Sequence, residues 1–565
     1  MAYREEHPKP QFMREHWQNL NGRWQFEIDR GESGLYRALY EEGKTLDSVI
    51  EVPFCPESPL SGIGCTDFMR SVFYKRSFTL TEEELCGRVI LHFGAVDYKT
   101  TVYINGRECG RHTGGYVSFS FDITAHARVG ENTVTVHAED DTKDRMIPSG
   151  KQSDRYESFS CFYTRTTGIW QTVWLEFVPR AYIRTAKYYP DIDTASLSIH
   201  AELCGGGRLT AVALYEGREV GRAQADSAGG MTVLHLPLSE RHLWEAGNGR
   251  LYDLVLTFGD DRVTSYFGLR KIRIDGYRIL INERPVFQRL VLDQGFYPDG
   301  IYTAPSDAEL IADIDRSLAM GFNGARLHEK IFEERFLYHC DRKGYLVWGE
   351  FPNWGIDASR ADAVHAVLPE WMEEVERDFN HPAIVGWCPF NEVWYNPSRA
   401  VIQMVYDVTK QLDPTRPAID TSGGLHVERT DVTDTHSYAQ DPIAFAKLFE
   451  KLAEEDLFYD GIEKKDLSTH GRPFFVSEYG GIAWTGDEKG WGYGMAPKSE
   501  EEFLARLKGL TDVLMDHPKM FGLCYTQLTD VEQEKNGLYT YDRKPKFAPE
   551  KIYPIFARAA AIEEE

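Results

Sequence analysis

Ile384-Val-Gly-Trp-Cys-Pro-Phe-Asn-Glu392 is an apolar run that ends in a carboxylate, and Pro473-Phe-Phe-Val-Ser-Glu478 repeats the pattern further along the chain. Runs without polar alternation suit strands covered on both faces, as in a parallel sheet. Working outward gives eight candidates: Val286–Asp293, Gly324–His328, Tyr345–Glu350, Ile384–Glu392, Ala418–Ser422, Asp431–Tyr438, Pro473–Tyr479 and Phe521–Leu528. Helical patterns fill most intervals, at Glu333–Lys343, Leu368–Phe379, Ser398–Gln411, Ile443–Glu454 and Glu500–Asp516. Another starts at Ser306, where Glu309 three residues later predicts a capping box; Leu310, Ile311, Ile314 and Leu318 share one face, and Gly321 ends the helix. Eight alternating units predict a (β/α)8 TIM barrel over residues 273–565. No Gly-rich phosphate turn opens the region, which disfavours an open doubly wound sheet.

Upstream the texture is all-β. Val72–Leu80, Val89–Phe93, Thr100–Ile104, Asn132–His137 and Gln171–Phe177 alternate with period two between Gly- and Asn-rich turns, predicting a sandwich over residues 1–180. Leu197–Leu203, Leu209–Tyr215, Met231–Leu236 and Leu251–Gly259 predict a second sandwich over 181–272, of immunoglobulin-like size.

A chain of 565 residues, 42% hydrophobic and 27% charged, is too long for one core and too apolar for disorder. Its formal charge of -25 argues against nucleic acid as a partner. The opening stretch has no signal-peptide core, and no eighteen apolar residues run together, so a cytoplasmic chain without a membrane span is expected. Nine scattered cysteines without a CxxC pair are expected to be reduced, and neither a metal nor an organic cofactor is implied.

In a barrel of this type the active site lies at the C-terminal strand ends. Glu392 and Glu478 would be buried there beside apolar walls, which is costly unless each group is paired, protonated or used. Either alone could cap a helix or pair with Arg; together, at the ends of strands four and seven, they fit the acid and nucleophile of glycoside hydrolysis. Asp293 and His328 end strands one and two, where they could read sugar hydroxyls. Trp354, Trp394, Trp484 and Trp491 lie in loops where aromatic faces could stack on sugar rings.

Pro389-Phe-Asn-Glu392 and Phe475-Val-Ser-Glu-Tyr-Gly480 resemble the acid/base and nucleophile motifs of glycoside hydrolase family 2, which contains β-galactosidases, β-glucuronidases and β-mannosidases. Gly115-Tyr-Val-Ser-Phe-Ser-Phe-Asp122 and Gly168-Ile-Trp-Gln-Thr-Val-Trp-Leu175 resemble that family's N-terminal jelly roll, and Tyr541-Asp-Arg-Lys-Pro-Lys546 a late signature. The resemblance implies Glu392 as acid/base, Glu478 as nucleophile, Asn391 on the sugar 2-hydroxyl and Tyr438 orienting the nucleophile. It implies an exo-acting retaining enzyme with a carbohydrate substrate. The jelly roll would pack on the barrel and could lend a loop to the pocket or to a neighbouring subunit of a homo-oligomer.

For the glycone, Glu534-Lys-Asn-Gly537 stands where the family's glucuronidases carry an Asn-x-Lys pair, and Tyr525-Thr-Gln-Leu-Thr-Asp-Val-Glu-Gln-Glu534 looks most like members called β-galactosidases. β-Galactoside is therefore the favoured expectation, with a β-hexuronide (galacturonide or glucuronide, read by Lys535 or Arg326) and an α-L-arabinoside as alternatives. A non-catalytic carbohydrate-binding protein and a metal-dependent hydrolase using His328 and His436 are readings from other classes.

Overall fold

The computed structural model describes residues 3–461, 463–486 and 489–564. Its first unit is a β-sandwich. One sheet has six strands in the order Ser48–Val52, Gly22–Ile28, Ser71–Leu80, Gly130–Glu139, Lys99–Ile104, Arg107–Thr113. The other has four: Trp17–Asn19, Val173–Val178, Arg88–Phe93, Phe119–Asp122. Trp24, Val72, Leu91, Val134 and Leu175 meet between them.

The second sandwich sets Tyr182–Asp191, Ser196–Cys204 and Gly230–Pro237 against a four-stranded sheet that contains Gly207–Tyr215 and Tyr252–Phe258. Every other residue of Ser196–Cys204 is buried, as period two requires. Two segments of the first 180 residues belong elsewhere. Met13 exchanges backbone hydrogen bonds with Thr264 at 2.9 and 2.8 Å, and Arg14 forks onto Asp261, so the N-terminal segment is part of the second sandwich's edge. The loop around residues 145–164 leaves the first sandwich and docks on the barrel.

The barrel sheet runs in the order Ile384–Cys388, Leu346–Glu350, Gly324–Leu327, Gln288–Asp293, Met520–Thr526, Phe474–Gly480, Thr433–Ser437, all parallel. These are barrel strands four, three, two, one, eight, seven and six. The expected fifth, Ala418–Ser422, is not a ladder strand: it touches strand four through bridges Trp387–Ala418 and Asn391–Ser422. On its other side Asp431 N donates to Ala418 O at 3.1 Å, which closes the barrel. Only residues 423–432 separate it from strand six, too few for a covering helix, so it lacks the layer that holds the other strands straight.

The expected helices are present with shifted ends, at Glu334–Lys343, Val364–Asp378, Arg399–Leu412 and Glu500–Met515. The expected Ile443–Glu454 helix breaks into Pro442–Lys447 and Leu452–Glu455. At Asp307–Ala319 the capping box is half made. Ser306 Oγ accepts from Glu309 N, while the Glu309 carboxylate turns to Arg316 at 2.5 Å. The buried face runs through Leu310, Asp313, Ile314 and Ser317, with Ile311 and Leu318 at its margins. All nine cysteines are free, and among the described residues no helix is long and apolar enough to cross a membrane.

Candidate active site

Strand four ends at Cys388, and the chain then turns so that Glu392 N donates to Ser422 O at 2.8 Å. Glu392 sits at φ +50°, in the left-handed region that non-glycine residues adopt less often. Glu478 lies within strand seven, and the parallel register sets it directly beside His436 of strand six. That register explains the site. His436 Nδ1 is 2.7 Å from Glu392 Oε1, and its Nε2 is 3.5 Å from Glu478 Oε1. One oxygen or nitrogen from each of the three groups lies within 4.8 Å of the others. Gly423 is required beside this ring: its φ is +61°, and a Cβ there would stand 2.2 Å from His436 Cγ.

The two carboxylates have different surroundings. Glu478 is 4% exposed and is held by Arg326 Nη1 at 3.2 Å and by the Tyr438 hydroxyl, which donates at 2.5 Å. Burial favours its neutral form, but His436, His328 and Arg326 reverse this and hold the carboxyl far below the usual range. The Glu392 side chain is 13% exposed, and among the described residues its one side-chain partner is His436. Burial also opposes charge on His436; the Glu478 charge and the Glu392 hydrogen bond outweigh it and raise the imidazole pKa.

Beneath Glu478, Arg326 donates to Glu350 at 2.6 Å and to Asn391 Oδ1 at 3.1 Å, and Glu350 also meets His328 Nδ1 at 2.8 Å. Glu350 is pulled down to about 2: burial opposes this, and Arg326 and His328 overcome it. Arg326 is thus spent on protein groups, not open to a uronic acid. The Asn391 amide nitrogen is buried and, among the described residues, has no partner.

The remaining sequence candidates separate. His328 lies 3.9 Å from Glu478. Tyr438 stacks face to face on Tyr493, 3.4 Å between centroids. Trp354 and Trp394 line a cavity of about 440 Å³ that reaches Glu392. Trp484 packs edge-on against Phe503 and tilted against Phe547 instead, and Trp491 donates to Ser160 O at 2.7 Å. Asp293 ends its strand as expected but faces outward, where its charge feels Asp313, Arg543 and Lys330 of the surrounding layer.

The sequence reading had no counterpart for Lys151. Gly150, at φ +52°, passes so close to the barrel that a Cβ would stand 2.3 Å from Glu329 O, and its N–H donates to Trp354 O at 3.1 Å. The next side chain, Lys151, enters the barrel mouth with its ammonium 3.8 Å from the Trp354 ring centre. Tyr163 OH to Glu534 Oε2 at 2.5 Å and Thr164 N to Glu532 Oε1 at 3.0 Å fix the other end of the loop. A Lys more than 200 residues before the strands it serves carries no local signal.

The description "glycosyl hydrolase 2 galactose-binding domain-like" matches residues 65–188, and "glycosyl hydrolases family 2, TIM barrel domain" matches 303–552. The chain belongs to glycoside hydrolase family 2. It is 24% identical to a β-glucuronidase of Paenibacillus borealis over 96% of each chain. It is 25% identical to a β-galactosidase of Leuconostoc mesenteroides over 68% of this chain and 38% of that one. Among solved structures, a β-glucuronidase from an uncultured Clostridium superposes with a TM-score of 0.80 at 23% identity, covering 98% of this chain and all of the other. A family 2 member is an O-glycoside hydrolase, so carbohydrate is the substrate. The pure binding-protein reading recedes accordingly.

Proposed function

We propose that this family 2 glycosidase is an exo-acting, retaining enzyme in which Glu478 attacks the anomeric carbon and Glu392 serves first as acid, then as base. The observation that carries this is the separation of the pair. A Glu392 oxygen and a Glu478 oxygen within 4.8 Å of each other suit the close spacing of double displacement, about 5–5.5 Å between carboxyl groups, better than the about 6.5–9.5 Å of an inverting site. Glu478, ionised and oriented by Tyr438, is the nucleophile; Glu392, its side chain 13% exposed at the cavity, is placed to exchange protons with the leaving oxygen and then with water. The unpartnered amide of Asn391 is the donor for the sugar 2-hydroxyl, and His328 with Arg326 and Glu350 holds the nucleophile's floor.

For the glycone, a β-hexuronide now fits better than the β-galactoside favoured by the sequence. The relative matched over nearly its whole length is a β-glucuronidase, whereas the β-galactosidase is matched over 38% of its own. Lys151 supports the same reading. It is 6% exposed, and among the described residues no carboxylate lies within ion-pair distance of its ammonium. Burial opposes its charge, yet Cys161, Glu534 and the catalytic pair raise its pKa, so the mouth holds a cation with no bound counter-ion. A uronate carboxylate supplies one.

The test is a panel of 4-nitrophenyl β-glucuronide, β-galacturonide and β-galactoside, with Lys151→Met alongside. A uronide should lead, and the variant should lose about tenfold or more in kcat/KM on the uronide while changing little on the galactoside. A galactoside that leads and is unaffected by Lys151→Met reverses the glycone assignment. Because Glu392, His436 and Glu478 could also hold a divalent cation, the same panel is run after dialysis against EDTA. Activity lost there and restored by metal would replace double displacement with metal-assisted hydrolysis.

A further inference from the structure

The cavity of about 440 Å³ touches Glu392 and not Glu478, Asn391 or Tyr438. On the reading above, Glu392 protonates the leaving oxygen, so this space lies on the leaving-group side. Its walls come from both domains. Phe159 and Phe162 of the docked sandwich loop stack on each other with centroids 5.1 Å apart, and Phe162 lies 5.3 Å from the Trp354 ring. Opposite them, Trp394 and Tyr395 meet edge to face, and Tyr395 is 87% exposed. That exposed ring stands beside Trp394 on the cavity wall, next to the proposed acid/base.

The polar groups of the cavity's inner part are already used. Asn353 exchanges hydrogen bonds with the Asn391 backbone, Gln152 donates to Asp97 and Tyr116 and accepts from Thr166 N, and Thr142 bonds Ser153 O. Asp357 is held by Ser359 at the rim. What remains facing the space is mainly a set of ring faces and the Ile356 side chain, with the exposed Arg145 and Asp154 as further charged groups of the lining. A second sugar needs several free donors and acceptors; a flat aromatic group needs ring faces.

We propose that this cleft is the aglycone subsite and selects a planar aromatic leaving group over a sugar. The inference rests on Glu392 being the acid/base. Two or three aromatic contacts of this kind suffice for a preference of roughly tenfold to a hundredfold.

The test uses glycosides of whichever glycone the enzyme turns over, with 2-naphthylmethyl, methyl and a second hexose as aglycones. All three leave as alkoxides, so leaving-group acidity does not decide the result. The 2-naphthylmethyl glycoside should exceed the disaccharide at least tenfold in kcat/KM, and its ratio to the methyl glycoside should fall about fivefold to tenfold in Phe159→Ala and in Tyr395→Ala. In addition, 2-naphthylmethanol should intercept the glycosyl-enzyme as an acceptor at lower concentration than glucose. A disaccharide cleaved as fast as the naphthylmethyl glycoside, or ratios that neither variant moves, overturns the proposal. Failure of the hexuronide reading would appear instead as a different preferred glycone whatever the aglycone. Failure of the Glu392 assignment would appear as an absent azide adduct in Glu392→Ala.

Discussion

Glu392 and Glu478 are the same side chain at the mouth of the same barrel, joined through one imidazole, and almost nothing else about them is shared. Glu478 stands inside a strand, buried, with a guanidinium, a phenol and two imidazoles around it. Glu392 stands beyond a strand end in a left-handed turn, partly exposed at the edge of a cleft. Cations and donors surround the proposed nucleophile, whereas the proposed acid/base, which would change protonation state twice, keeps some solvent access and, among the described residues, one side-chain partner. Environment, not residue type, divides the labour.

The largest effect should follow from removing the buried member. Glu478→Gln keeps the shape and the Tyr438 contact, so the far-ultraviolet circular dichroism and melting temperature should stay near wild type, while kcat/KM falls by at least about 10⁴-fold. A variant retaining more than a few per cent of activity would remove Glu478 from the nucleophile role and dissolve the contrast.

Glu392→Ala should be milder and depend on the leaving group. General acid catalysis contributes about 10²- to 10⁴-fold, and a nitrophenolate does not need it for departure. The loss should therefore be large on an alkyl glycoside and small in the first step on a nitrophenyl one. Azide should then resolve the glycosyl-enzyme as a β-glycosyl azide. No azide product and equal losses on both substrates would mean that the two carboxylates do not differ as proposed.

His436 joins the pair, so His436→Gln asks how far the difference depends on it. It is the foremost of the charges that hold Glu478 ionised. Without it the Glu478 pKa rises towards the ordinary carboxylate value, and the acid limb of the kcat/KM profile should move to higher pH, with a loss of about tenfold to a hundredfold at its optimum. An acid limb that stays in place would show that Arg326 and His328 suffice.

Much of this was legible in the sequence because the physics behind it is local. Apolar runs ending in Glu392 and Glu478 located strands four and seven, and period-two alternation located both sandwiches. Thr435-His-Ser-Tyr438 also carried a signal that went unused: in a strand His436 and Tyr438 lie on one face, so a Tyr assigned to the nucleophile brings the His with it. Arg326 in the apolar Gly324–Leu327 run was a similar sign, since an Arg that is 1% exposed demands carboxylates around it. Lys151 and the Phe159–Phe162 wall were not legible, because docking a loop across two domains leaves no periodic trace. Nor was the irregular fifth strand, whose short apolar run looks like any other until the missing helix beside it is counted.

Asp293 provides the control with the smallest expected effect on catalysis. It too is a buried carboxylate ending a barrel strand, and strand position alone would group it with the other two. Its carboxyl faces outward and takes a hydrogen bond from Gly295 N at 2.9 Å, a bond that an amide oxygen can also accept. Asp293→Asn should therefore change kcat/KM by less than about threefold. Its consequence is for stability. Burial, then Asp313, push its pKa up from an ordinary 3.8 to about 6, so the folded state binds the proton more tightly than the unfolded chain. For a carboxyl raised in this way the contribution is fully present below about pH 4 and is lost as pH rises through 6, because the charge must then be carried without full solvation. The Asn variant bears no charge to desolvate. Relative to wild type, its urea midpoint should improve between pH 4 and pH 7, by the equivalent of about 1–3 kcal/mol. A midpoint difference independent of pH would mean that Asp293 is ionised without penalty. A large loss of activity would place it in the mouth beside Glu392 and Glu478, contrary to the direction its side chain takes.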